Sequence, residues 1–210
     1  MRRFLLLAVV IVLLANLAAV TTKAVDEPVV PVTVAALPAE DLPPVVPDRL
    51  TTTTTVATTV PTSRPVDPPT NAYADEPHVV IGTIEIPKLG LSVPLNQGIS
   101  LKSIDRGPSH WPGTALPGNV GNVVVAGHRV THSKPFRHID SLAVGDEIIY
   151  VVDGVRSVYA VTGNEVVTPD ATWIVNQTQE ATTTLFACHP PGSARYRFVV
   201  YGKLVSSTPV

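Results

Sequence analysis

An all-β fold with short helices, closed as an eight-stranded barrel, is what this sequence predicts for residues 76–206. Three observations predict it. Short apolar runs recur between His78 and Leu204, Gly- and Pro-containing breaks separate them, and little of the region reads as helix. About 130 residues suffice for one closed core.

The elements follow in order. "HVVIGTIEIPKLG" (His78–Gly90) alternates apolar and polar positions and ends in a Pro/Gly breaker, so it reads as a strand. "LSVPLNQG" (Leu91–Gly98) is a second strand after a tight turn. "GPSHWPGTALPGNVG" (Gly107–Gly121) reads as a loop, because Gly and Pro recur every few residues. "NVVVAGH" (Asn122–His128) is a buried strand. "SKPFRHIDSLAVGD" (Ser133–Asp146) supplies one or two helical turns and then a turn at Gly145-Asp146. "EIIYVVD" and "VRSVYAVTGNEVVT" flank Gly154 as a hairpin. "TTTLFACH" (Thr182–His189) and "RYRFVVYGKL" (Arg195–Leu204) close the set.

Two segments precede this domain. Residues 1–24 carry "FLLLAVVIVLLANLAAV" (Phe4–Val20) behind Arg2 and Arg3. At 1.5 Å per residue the run spans about 25 Å, the lower end of what crosses a bilayer. It is uncharged, and no Ala-x-Ala cleavage site stands near its end. An uncleaved membrane anchor is therefore preferred to a cleaved signal peptide, with the arginines cytoplasmic and the rest of the chain outside. The expected location is the cell membrane, single-pass, with the β-domain on the extracellular face. Residues 25–75 form a Pro/Thr-rich linker: residues 25–72 hold ten of the 21 prolines, and "TTTTTVATTVPTS" lies at Thr51–Ser63. Such a segment buries too little apolar area to offset its ordering entropy. As an extended stalk it could reach about 150 Å.

The composition narrows function. The chain is 45% hydrophobic and 15% charged, with a net charge of -2, so nothing in it marks a nucleic-acid surface. One cysteine excludes an intramolecular disulfide. That cysteine ends the apolar run "TLFAC", and alternation puts Thr184, Phe186 and Cys188 on one face with Leu185 and Ala187 on the other. In the next strand Tyr196, Phe198 and Val200 form the more apolar face, and Arg195 and Arg197 lie opposite. If the apolar faces fill the barrel, Cys188 and Arg197 point outward together. His128 ends another apolar strand, just after Gly127. A thiol, an imidazole and a guanidinium at strand ends are the minimal set for thiol acyl transfer: sulfur attacks a carbonyl, the imidazole moves the proton, and the arginine stabilises the oxyanion. His128-x3-His132 and Cys188-His189 also offer zinc-type ligands. However, His132 and His138 fall in a loop and a turn, and His189 alternates away from Cys188. Solvent-exposed loop histidines are the preferred reading, and no metal or cofactor is expected. Trp173, after "PDAT", reads as a packing residue.

Three motifs resemble those of sortases, the membrane-anchored cysteine transpeptidases of Gram-positive bacteria. "TLFAC" (Thr184–Cys188) resembles the family's Thr-Leu-x-Thr-Cys, "AGHR" (Ala126–Arg129) its strand-end histidine motif, and "RFVVYG" (Arg197–Gly202) the arginine that opens the last strand. "GPSHWPGTALPG" and "CHPPGSARYRFVVYG" are most similar to class E sortases, the housekeeping type of many high-GC actinobacteria. The resemblance implies a sortase-type eight-stranded barrel with Cys188 as nucleophile, His128 as acid/base and Arg197 as oxyanion and substrate clamp. It implies clients carrying a Leu-Pro-x-Thr-Gly (LPxTG) or Leu-Ala-x-Thr-Gly (LAxTG) signal, cut between Thr and Gly. It also implies transfer to the amine of a peptidoglycan precursor, lipid II. Trp111, Thr184, Phe186 and Arg195 are the candidate substrate-binding residues. Ala187 stands where the family has threonine, at a position expected to face the core, and Trp111 stands where class E members often have tyrosine. The alternative function is a non-catalytic, anchored β-domain that displays or binds a wall component.

Overall fold

The computed structural model describes residues 64–210. The expected membrane anchor, and the expected linker up to residue 63, lie outside the described residues. Among the described residues no helix is long and apolar enough to cross a membrane.

Eight strands close a barrel: β1 (Val79–Ile86), β2 (Leu91–Gln97), β3 (Ser109–His110), β4 (Gly121–Ala126), β5 (Glu147–Val152), β6 (Val155–Val167), β7 (Ala181–His189) and β8 (Tyr196–Pro209). Around the barrel their order is β1-β2-β3-β4-β7-β8-β6-β5. Pairing is antiparallel except between β2 and β3 and between β4 and β7. The predicted strands are all present. The eighth, β3, lies inside what the Gly/Pro spacing reads as a loop. It is only two residues long, too short to show a period, yet both residues are buried and bridge β2 to β4.

The interior is filled by residues of alternating parity, among them Ile84, Leu95, Val123, Val125, Ile148, Tyr150, Leu185, Ala187, Phe198 and Val200. Each fully buried aliphatic side chain contributes roughly 1.5–3 kcal/mol. Tyr196 departs from the predicted core face: it is half-buried at the mouth of the barrel, and the Arg195 guanidinium lies 5.3 Å from its ring centroid. A second apolar layer covers the outer face. A 3-10 turn at Thr172–Val175 lays Ile174 and Val175 over Val124, Val167 and Val199, with Trp111, Phe186 and Tyr201 packed at its edge. Buried polar groups are paired, as where the Tyr150 hydroxyl meets Thr183 Oγ1 at 2.7 Å.

A six-residue helix, α1 (Leu101–Arg106), is absent from the sequence prediction. Ser100 caps it, its Oγ accepting from the Ser103 N–H at 3.3 Å, and Gly107 ends it. The chain just before β1 ties this helix down. Glu76 accepts from the Ser100 N–H (2.9 Å) and from the Ser103 hydroxyl (2.7 Å), and the Ala72 carbonyl accepts from the Leu101 N–H (2.7 Å). Further back, the Val66 N–H donates to the Pro112 carbonyl at 2.9 Å. Residues 64–76 are thus a strap across one end of the barrel.

Two hydrogen-bonded groups, one buried and one half-buried, make the fold sensitive to acid. His110 is 1% exposed, wedged between Gln97 Oε1 and the Ala115 carbonyl at 2.9 Å each. Burial pushes its pKa below the ordinary 6.5, against an opposing hydrogen bond to Ala115. Burial pushes Glu76 upward, but hydrogen bonds from Ser100, Ser103 and Ile99 outweigh it and hold the carboxyl below 4.5. In both cases the unfolded chain takes up the proton first. Their stabilisation is therefore complete above about pH 6.5 and is lost as pH falls, first through His110 and then, below about pH 4.5, through Glu76. The urea midpoint should fall steadily between those values, and His110→Gln should flatten the upper part of the decline. An unchanged slope in that variant would exclude His110 as the cause.

Candidate active site

β7 and β8 pair so that Cys188 stands directly opposite Arg197. Directly opposed residues of an antiparallel pair project to the same face. Leu185 and Ala187 point inward at 0% and 2% exposure, so Cys188 and Arg197 face out, as the alternation predicts. β4 and β7 run parallel, with Ala126 level with Phe186. Two residues further along each strand come His128 and Cys188, at the same end of the barrel. The bend into His128 needs glycine: a Cβ on Gly127 would lie 2.6 Å from the buried ring of Phe136.

The three groups share one small apolar cavity of about 120 Å³, lined also by Leu101, Ile104 and Phe186. A second cavity, about 320 Å³ and more polar, adjoins it. His128 and Cys188 line this one too, with Tyr73, Asp105, His132 and Gly192–Ala194. The thiol and the imidazole therefore stand between two openings. Arg197 Nη1 donates to the carbonyls of Ala194 (2.8 Å) and Tyr196 (3.0 Å), which fixes the guanidinium against the β7–β8 turn.

His128 is held by a group that the sequence reading does not single out. Its Nε2 lies 2.7 Å from Asp105 Oδ1, near the end of α1. With the Nε2 proton donated to that carboxylate, Nδ1 keeps a free lone pair. The same oxygen lies 3.0 Å from His132 Nε2, and the two imidazoles stack at 4.9 Å. Arg129 is the other omission. It is 2% exposed, pairs with Asp140 at 2.7 Å, and its Nη1 donates to His189 Nδ1 at 2.8 Å. It ties the segment after β4 to β7. The only hint in the sequence is its place within "AGHR", where an arginine reads as a surface residue.

The four candidate substrate-binding residues occupy different settings. Phe186 lines the cavity with Cys188 and packs against Trp111, ring centroids 6.2 Å apart. The Trp111 indole N–H donates to the Val66 carbonyl at 2.8 Å, so toward Phe186 it presents only its ring. Thr184 is buried, and its hydroxyl donates to Asn122 Oδ1 at 2.8 Å. Arg195 is exposed, over the Tyr196 ring. Thr184 also lines a third cavity, about 410 Å³, between the 172–180 segment and β8, where half-exposed Trp173 forms part of the wall. Cys188, His128 and Arg197 do not border that cavity.

A closed mixed barrel carries a thiol, an imidazole and a guanidinium on one rim, the set of groups that thiol acyl transfer needs. The family model described as the Sortase domain matches residues 84–205, more than half of the chain, and the chain belongs to the sortase family. It is 34% identical over 150 residues to Sortase SrtE1 of Streptomyces coelicolor, an alignment covering 64% of this chain and 43% of that protein. The crystal structure of Sortase E1 from Streptomyces coelicolor with a tripeptide in the active site superposes with a TM-score of 0.58 at 32% identity. It covers 62% of this chain and 90% of that one. A Clostridium perfringens sortase C structure with the C-terminal cell wall sorting motif gives 0.57 at 29% identity, covering 61% and 71%. The chain spans between 43% and 65% of the length of the curated relatives it matches.

Proposed function

We propose that this chain is a membrane-anchored transpeptidase that cuts a Leu-Pro-x-Thr-Gly or Leu-Ala-x-Thr-Gly signal between Thr and Gly and joins the new carboxyl end to a peptidoglycan-precursor amine. The observation that carries it is the Cys188–Arg197 pairing across β7 and β8, with His128 in the same cavity. Cys188 gives up its thiol proton to His128, its sulfur attacks the threonine carbonyl carbon, and an S–C bond forms. The carbonyl oxygen takes up charge beside Arg197. The C–N bond to glycine breaks, and the proton carried by His128 goes to the departing amine. The incoming amine reverses the sequence: an N–C bond forms, the S–C bond breaks, and the thiol is restored.

Two openings that meet at Cys188 and His128 suit this traffic. The small apolar one, with Phe186 and Arg197, fits the acyl portion of the signal, and the more polar one fits the leaving glycine and the incoming amine. Asp105 supports the role of His128 by fixing its tautomer and ring orientation. Residues 1–24 would hold the enzyme at the membrane, with the stalk spacing it outward.

Intact-mass measurement of the purified chain with each signal peptide tests the proposal. A gain equal to the peptide's acyl portion, removed by an added amine, is expected. The relative yield from the two peptides reads the preference at the second signal position. No adduct with either peptide would leave the non-catalytic display domain as the better account.

A further inference from the structure

Asp105, His128 and His132 converge on one point. Asp105 Oδ1 lies 2.7 Å from His128 Nε2 and 3.0 Å from His132 Nε2, and the three atoms all fall within 4.8 Å of one another. The imidazoles are nearly parallel, at 21°, so both Nε2 atoms are aimed at the same carboxylate. We infer that this trio is a Zn²⁺ site whose occupation switches off the reaction.

Tetrahedral zinc with bonds of about 2.0–2.1 Å separates its ligand atoms by about 3.3 Å. The carboxylate oxygen must draw back from the two nitrogens by about 0.3–0.6 Å to admit the ion. Asp105 is fixed on α1, and His128 is fixed by Gly127 and the parallel pairing of β4 with β7. His132 is the arm free to adjust: it sits in an exposed turn at φ +52°. Two neutral nitrogens and one carboxylate form a donor set that suits zinc, and the polar cavity beside them gives the ion a way in. The nearby Arg129 guanidinium is already matched by Asp140 at 2.7 Å.

The chemistry of occupation is simple. Each imidazole must turn its Nε2 lone pair to the metal, so the ring proton moves to Nδ1. A neutral imidazole then binds without net proton release. His128, with its Nε2 on zinc and its Nδ1 protonated, retains no basic nitrogen for the Cys188 proton. The peptide groove stays open while the proton transfer is blocked.

The test uses full-length Cys188→Ala chain, so that the thiol cannot bind metal. Titration with Co²⁺ should give a visible absorption band that saturates at one ion per chain and is displaced by Zn²⁺. Adding His132→Gly, which suits the positive φ, should weaken binding by at least about tenfold, and Asp105→Asn should do so as well. With the thiol present, Zn²⁺ should lower peptide turnover in the parent chain, and in His132→Gly the fractional loss, taken against that variant's own metal-free rate, should be at least about tenfold smaller at the same Zn²⁺ concentration. Binding of equal strength after His132→Gly, or binding found only when Cys188 is present, overturns the site. The binding arm involves no turnover, so it is judged separately from the transpeptidase proposal.

Discussion

Replacing Cys188 with alanine lowers cleavage of a fluorogenic Leu-Pro-x-Thr-Gly or Leu-Ala-x-Thr-Gly peptide by roughly 10⁴–10⁶-fold and leaves the barrel folded. Within the proposed mechanism the sulfur is the only atom that bonds to the substrate, so no neighbour can take its place. Arg197 and the cavity walls can still bind peptide, and KM for any residual reaction should move far less than kcat. The folded state loses little. Cys188 is half-buried at the rim, and Leu185 and Ala187, which precede it on β7, keep the interior packing. A stability change of about 1 kcal/mol or less is expected, a few degrees in Tm for a domain of this size. Peptide turnover and thermal melting by circular dichroism measure the two halves. Undiminished turnover would end the nucleophile assignment.

Arg197→Lys is the second large effect, a fall of about 10²–10³-fold in kcat. The guanidinium divides its donors. Nη1 is spent on the carbonyls of Ala194 and Tyr196, while Nε and Nη2 remain for an incoming oxygen. A lysine ammonium has one nitrogen and no planar fork, so it cannot hold the β7–β8 turn and also reach the threonine carbonyl. Charge is conserved by the substitution. A loss of this size therefore separates directed hydrogen bonding from simple electrostatics. Steady-state kcat and KM, together with the rate of thioacyl formation by mass, give the result. A lysine variant with full kcat would remove Arg197 from the oxyanion role.

The barrel was readable because its strands show themselves locally. Alternation in "TLFACHPPGSARYRFVVY" is enough to put Cys188 and Arg197 on one face and Leu185 and Ala187 on the other. That His128 stands level with them was not readable from alternation. It depends on β4 pairing parallel to β7, a contact between residues 60 apart, and the sequence offers only its place at the end of an apolar strand and the motif resemblance. Asp105 was illegible for a related reason. It lies 23 residues before His128 on a helix too short for a hydrophobic period, although Ser100 and Gly107 do bracket that helix as a cap and a stop. Nothing in the sequence marks Arg129 as a buried arginine. Only the structure supplies the Asp140 and His189 partners that let it be buried. Parity alone places Tyr196 with the core, and parity does not say where the core ends.

The strap formed by residues 64–76 has a mechanical consequence. Its carbonyls at Val66 and Ala72 are bound to Trp111 and to the first residue of α1, and the Arg64 carbonyl lies against Gly113. The described chain therefore begins on the same flank that carries the sulfur. Tension applied through residue 64 would reach the indole and the Asp105 helix before it reached the far end of the barrel, so a pull on this segment would be felt first beside the thiol.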